Sequence, residues 1–134
     1  MACMDRPTFG VQAAMASVEL PEEWQALLAH QAAVLVALLS RMQKAAATLR
    51  RRQAPAARWQ VIAAEAERVL TAQAQGHVSL ERELVELRAL VMDLSTRPAA
   101  MVERVQRLER VLEVFHANLT IARQYLATLF PQEP

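Results

Sequence analysis

Residues Pro98 to Phe130 read PAAMVERVQRLERVLEVFHANLTIARQYLATLF. Within them Met101, Val105, Leu108, Leu112, Phe115, Leu119, Ala122, Leu126 and Leu129 follow one another at alternating steps of four and three, with no polar residue in the series. A strand would place every second residue on one face. Steps that average ~3.5 instead keep these residues on one side of an α-helix. A helix of this length spans ~45 Å and can bury such a seam only against neighbours of similar length, so the stretch predicts a bundle of long helices. Pro98 suits a first helical turn, where its missing N–H is not needed, and Pro131 stops the helix.

The same spacing runs back along the chain. Trp24, Leu28, Gln31, Leu35, Leu38, Met42, Ala45 and Leu49 form a heptad-like seam with one polar interruption, Gln31. Pro21, Glu22 and Glu23 mark its start, and Arg50 to Arg52 with Ala54-Pro55 mark its end. Trp59, Ile62, Ala66, Val69 and Gln73 continue the pattern as far as Gly76, after which Leu80, Leu84, Leu87, Val91 and Leu94 take over on a rotated face. That rotation predicts a kink or break at Gln75 to Ser79, with Ser79 as an N-cap. Ser95-Thr96-Arg97-Pro98 is the next stop, with Thr96 or Arg97 as the cap. The expected fold is all-α: an antiparallel bundle of three long helices, the middle one kinked or broken near Gly76, giving three or four helices. Residues 1–20 have no sustained period and are expected to form a flexible N-terminal arm, leaving residues 21–131 as a single helical-bundle domain.

At 134 residues there is room for one core. Only two glycines occur, and Ala, Leu, Val, Gln, Glu and Arg dominate, a mixture of strong helix formers. Fifteen basic against fourteen acidic residues leave a formal charge of +1, too little for a whole-molecule field that attracts nucleic acid or an anionic membrane. The lone Cys3 excludes an internal disulfide and fits a reducing compartment. No secretory signal pattern opens the chain, so a cytoplasmic location is expected. The uncharged run Trp24 to Ser40 contains two Gln and a His and falls short of the ~20 apolar residues that span a bilayer. It predicts a deeply packed helix without stable membrane insertion.

No catalytic motif is present, and neither an enzyme activity nor a cofactor is expected. His30, His77 and His116 are spread over three segments and read as solvated or hydrogen-bonded side chains rather than metal ligands. Ser, Thr and Cys offer no nucleophile beside a base, and two glycines cannot build a phosphate-binding loop. The bases Arg41, Lys44, Arg50, Arg51, Arg52 and Arg58 fall around the first turn with no acid between them. Capping and solubility explain them better than an acidic protein surface, and nucleic acid comes last.

The informative surplus lies on the last helix. Val111, Val114, Asn118, Ile121, Tyr125 and Thr128 form a second stripe beside the seam, wider than one packing partner requires. Packing by two neighbouring helices is the simplest account. The alternative is a face that receives an amphipathic helix from another protein, and self-association would satisfy the same surplus.

In the first helix, LLAHQAAVLVALLSRMQKAAATL (Leu27 to Leu49) resembles the long opening helix of the FlgN family of flagellar type III export chaperones. HANLTIARQYLATLF (His116 to Phe130) is similar to that family's closing segment, through Asn118, Leu119, Tyr125, Leu126 and Leu129. The likeness covers about Glu22 to Phe130. It implies a cytoplasmic chaperone of bacterial flagellum biogenesis that binds the helical C-terminal segments of hook-filament junction proteins and delivers them to the export gate of the type III secretion apparatus. With the stripe, it makes Val114, Asn118, Leu119, Ile121, Tyr125, Leu126 and Leu129 the expected partner-binding residues. A homo-oligomeric structural or adaptor bundle without a secreted client is the alternative.

Overall fold

The computed structural model describes residues 8–15 and 19–131. Cys3 and the remaining arm residues 1–7 and 16–18 lie outside the described residues. Three helices make up the bundle: α1 (Glu22–Arg51), α2 (Ala56–Asp93) and α3 (Ala99–Leu129). Each begins directly after a proline in the N-cap position, Pro21, Pro55 and Pro98, and none has a side-chain cap. Neither Thr96 nor Arg97 therefore caps α3. The carbonyls of the three prolines accept the first helical bonds, from Trp24 and Gln25, Arg58, and Met101 and Val102. Proline fixes φ near its helical value and prevents the helix from growing backward, which sets the starts without a cap.

Partner numbers give the topology. Glu23 pairs with Arg104 at 2.9 Å, Gln31 reaches the Phe115 carbonyl at 2.9 Å and Arg50 reaches the Leu129 carbonyl at 2.6 Å. These numbers rise together, so α1 and α3 run parallel. Across α2 and α3 they run oppositely: Glu67 pairs with Arg123 at 3.6 Å and Arg88 with Glu109 at 3.5 Å. The bundle is up-down-up, and each helix touches the other two.

The break expected near Gly76 is absent. α2 is helical from Ala56 to Asp93, and Ser79 sits inside it with its hydroxyl donating to the Gln75 carbonyl, one turn back, rather than capping an N-terminus. The rotation of the apolar face has another cause. Buried Ala66 is followed by buried Leu70, a second consecutive step of four after Ile62, and the pattern then resumes toward Leu80 and Leu84. An inserted step of four lets a helix with 3.6 residues per turn keep facing its neighbours without breaking. Gly76 instead permits close approach: a Cβ there would stand 3.1 Å from Phe115 Cζ.

The core contains the α3 seam from Leu108 to Leu129 and, from α1, Trp24, Leu28, Leu35, Leu38, Leu39 and Met42. α1 is long and apolar enough to cross a bilayer by length and composition. Here its Ala32, Leu39 and Ala46 join the expected seam in the core, while Ala45 and Leu49 are only half-buried. The same drift between 3.5 and 3.6 residues widens the buried face. Trp24 is fully buried, the Arg104 guanidinium lies 4.5 Å from its ring centroid, and its indole N–H has no hydrogen-bond partner among the described residues.

Candidate functional site

The second stripe of α3 faces α1, and between the two lies the described part of the N-terminal arm. Thr8 to Val11 form a tight turn closed by the Val11 N–H donating to the Thr8 carbonyl at 2.9 Å, with positive φ at both Phe9 (57°) and Gly10 (85°). Glycine accommodates that geometry freely, whereas Phe9 adopts it against its preference. The turn aims two side chains at the bundle. Phe9 packs edge-on against Tyr125, ring centroids 4.9 Å apart and planes 60° apart, and Val11 is buried. The edge-to-face arrangement sets a positive ring edge against a negative ring face.

The next residue is held by its backbone. The Gln12 N–H donates to Asn118 Oδ1 at 2.9 Å, and Asn118 Nδ2 donates to the Gln12 carbonyl at 2.8 Å. The same amide donates to Gln31 Oε1 at 2.9 Å, and Gln31 Nε2 donates to the Phe115 carbonyl at 2.9 Å. Neither Gln31 nor Asn118 exposes any surface. Only this orientation of the two amides sets every donor against an acceptor. Asn118 thus does for Gln12 what a neighbouring β-strand would do, pairing with both polar groups of one residue independently of its side chain.

The described part of the arm does not fill its seat. Between it and α1 an apolar trough of about 530 Å³ remains, lined by Thr8, Val11 and Ala13 from the arm and by Ala29, Ala32, Ala33, Val36, Ala37 and Ser40. A smaller, partly polar one of about 340 Å³ follows, where Ala13, Ala14 and Met15 face Leu20, Gln25 and Ala29. Alanine opposite alanine leaves the gap.

The expected partner-binding residues separate into two groups. Leu119, Leu126 and Leu129 belong to the bundle core, at 4 to 8% exposure, and present little to a partner. Asn118 is buried beneath the arm, Tyr125 meets Phe9, and Val114 and Ile121 are half-buried against the core. Tyr125 therefore packs against the core and meets the chain's own arm through Phe9 rather than facing an empty groove. Phe9, Val11 and Gln12 were beyond sequence reasoning because the arm has no periodicity. Gln31 was visible as the one polar interruption of the first seam, and a second buried amide opposite it was the signal available.

Elsewhere, His77 pairs with Glu81 one turn on at 2.6 Å and lies beside His116, ring centroids 5.7 Å apart. Among the described residues no cluster of three or more His, Cys, Asp or Glu could hold a metal. Of the bases around the first turn, Arg41, Arg50 and Arg51 make local contacts, the last by donating to Thr48 Oγ1 at 3.3 Å. Arg41 pairs with Glu65 at 3.0 Å, while Arg50 caps the C-terminal Leu129 carbonyl of α3 and lies 5.7 Å from the Trp59 ring centroid. A cation at the carbonyl end of a parallel helix opposes the negative end of its macrodipole.

Comparison of the chain with protein-family models, curated proteins and solved structures returns no match.

Proposed function

We propose that the protein is a non-catalytic chaperone or adaptor of the FlgN-like export type, holding an apolar segment of a secreted client against the α1–α3 face. The observation that carries this reading is the seat under the arm. A bundle whose core seam is already complete keeps a second surface where a polypeptide segment is bound through apolar contacts and through a side-chain amide that pairs with its backbone. Such a surface recognises chain rather than a small molecule. Client contact then falls to Val114, Asn118, Ile121 and Tyr125, with Leu119, Leu126 and Leu129 supporting them from below. The resemblance supplies the client class, the helical C-terminal segments of hook-filament junction proteins, with the export gate as the destination in the cytoplasm.

Replacing Ile121 and Tyr125 together with Glu places two charges at this surface. Capture of a purified junction-protein C-terminal segment by the wild-type chain, lost in this variant while far-UV circular dichroism is retained, is the expected result. Equal capture by both chains, or none by either, overturns the reading.

One observation favours homo-oligomerisation instead. Val78, Val85 and Met92 are exposed at 47, 62 and 73% on a single row of α2, seven residues apart, on the side away from the core. Sedimentation of the purified chain separates the readings, since a stable dimer that captures no client segment belongs to the second.

A further inference from the structure

We infer that Thr8–Met15 is a displaceable occupant of the α1–α3 groove, keeping the place of a non-helical apolar client segment with bulkier side chains than its own alanines. The inference rests on the proposed function for the groove and for a polypeptide client; in place of the helical segment that the resemblance implies it assigns the groove a non-helical one, and it adds the way the site is regulated.

Three observations combine. The first is the mode of holding: Asn118 pairs with Gln12 through that residue's backbone N–H and carbonyl alone, so any chain with an unpaired N–H and carbonyl at that point satisfies it equally. A helix cannot, because its backbone groups are already paired internally. The second is the fit. The trough of about 530 Å³ beside Ala13 leaves an apolar wall of α1 uncovered, and a Leu or Met in place of Ala13 would fill what the arm leaves open. The third is internal strain: Phe9 takes a left-handed conformation to reach Tyr125, so release of the arm relieves a cost that an incoming segment without that turn does not carry. A segment tethered nearby has a high effective concentration, which lets a poorly fitted occupant keep the groove closed until a better one arrives.

The test uses the full chain and a fluorescent synthetic peptide of residues 7–15 in which Ala13 is replaced by Leu. Val11→Asp puts a charge where Val11 is buried and frees the arm, and Gly10→Val, at a position with open space around it, does so through the turn alone. Both variants should bind the peptide at least about tenfold tighter than wild type. The same peptide with Pro in place of Gln12 lacks the N–H that Asn118 accepts and should lose most of that binding. Placed in the intact chain, Ala13→Leu should have the opposite effect, weakening peptide binding further. Equal binding by wild type and the two released variants, or binding indifferent to the Pro replacement, overturns the inference. Because the probe is the chain's own segment, these outcomes are independent of the junction-protein experiment, which alone decides the client.

Discussion

At the scale of single residues, the buried amides of Gln31 and Asn118 concentrate the polar energetics of the molecule. Each is fully enclosed and each spends its hydrogen bonds on the other, on the arm or on α3. Removing one member leaves the other's polar group buried without a partner, and that desolvation costs more than a typical net hydrogen bond. Asn118→Leu is expected to lower stability by about 1–3 kcal/mol in urea titrations, with the loss falling on the midpoint rather than the slope. Hydrogen exchange at the Gln12 amide should rise sharply in the same variant, since Asn118 Oδ1 is its acceptor. The sequence showed half of this arrangement. Gln31 stands out because it interrupts an apolar seam, whereas Asn118 falls on a stripe that looks client-facing, because a helical wheel does not show what an aperiodic arm lays over it.

At the scale of elements, the helices were legible because three prolines and two heptad seams leave little choice of boundary, and α1 to α3 begin where those prolines place them. The break expected at Gly76 has a definite source: a glycine and a shift of the apolar rows look alike whether the helix breaks or takes one additional step of four, and the continuous α2 shows the second, with Gly76 instead giving room to Phe115. The end of α1 is a different case. The Gln53 and Ala54 N–H groups bond the Arg50 and Leu49 carbonyls at 3.1 and 2.9 Å, a Schellman closure whose left-handed position holds Gln53 at φ 50°. Glycine ordinarily takes that position because a Cβ is strained there. Gln53 is exposed and its replacement removes no buried contact. Gln53→Gly should therefore stabilise the protein by about 1 kcal/mol, the reverse of the usual effect of introducing glycine. A higher thermal midpoint by calorimetry supports the assignment, and a lower one contradicts it.

At the scale of the whole molecule, bundle stability and arm docking depend on the same two amides in opposite ways, and this separates a structural role for the polar layer from a binding one. A buried polar layer contributes less stability than apolar packing of similar volume, but it fixes which groups face each other. If Gln31 and Asn118 serve only to align α1 with α3, replacing both with Leu should cost alignment and cooperativity. If they are kept for holding a backbone, the double variant should fold as a bundle at least as stable as wild type, because no unpaired amide remains, while the arm loses its attachment. We expect the second outcome. Gln31→Leu and Asn118→Leu should each destabilise the chain alone by about 1–3 kcal/mol, yet together give a urea midpoint equal to or above that of wild type, so that the coupling in a double-mutant cycle is the sum of the two single losses, about 2–6 kcal/mol. The Gln12 amide of the double variant should exchange as fast as that of an exposed loop, while amides in the middle of α1 and α3 keep their protection. A double variant that loses cooperative unfolding would assign the layer to architecture. One that unfolds cooperatively with a free arm would show that the bundle keeps two buried amides in order to hold a segment of chain.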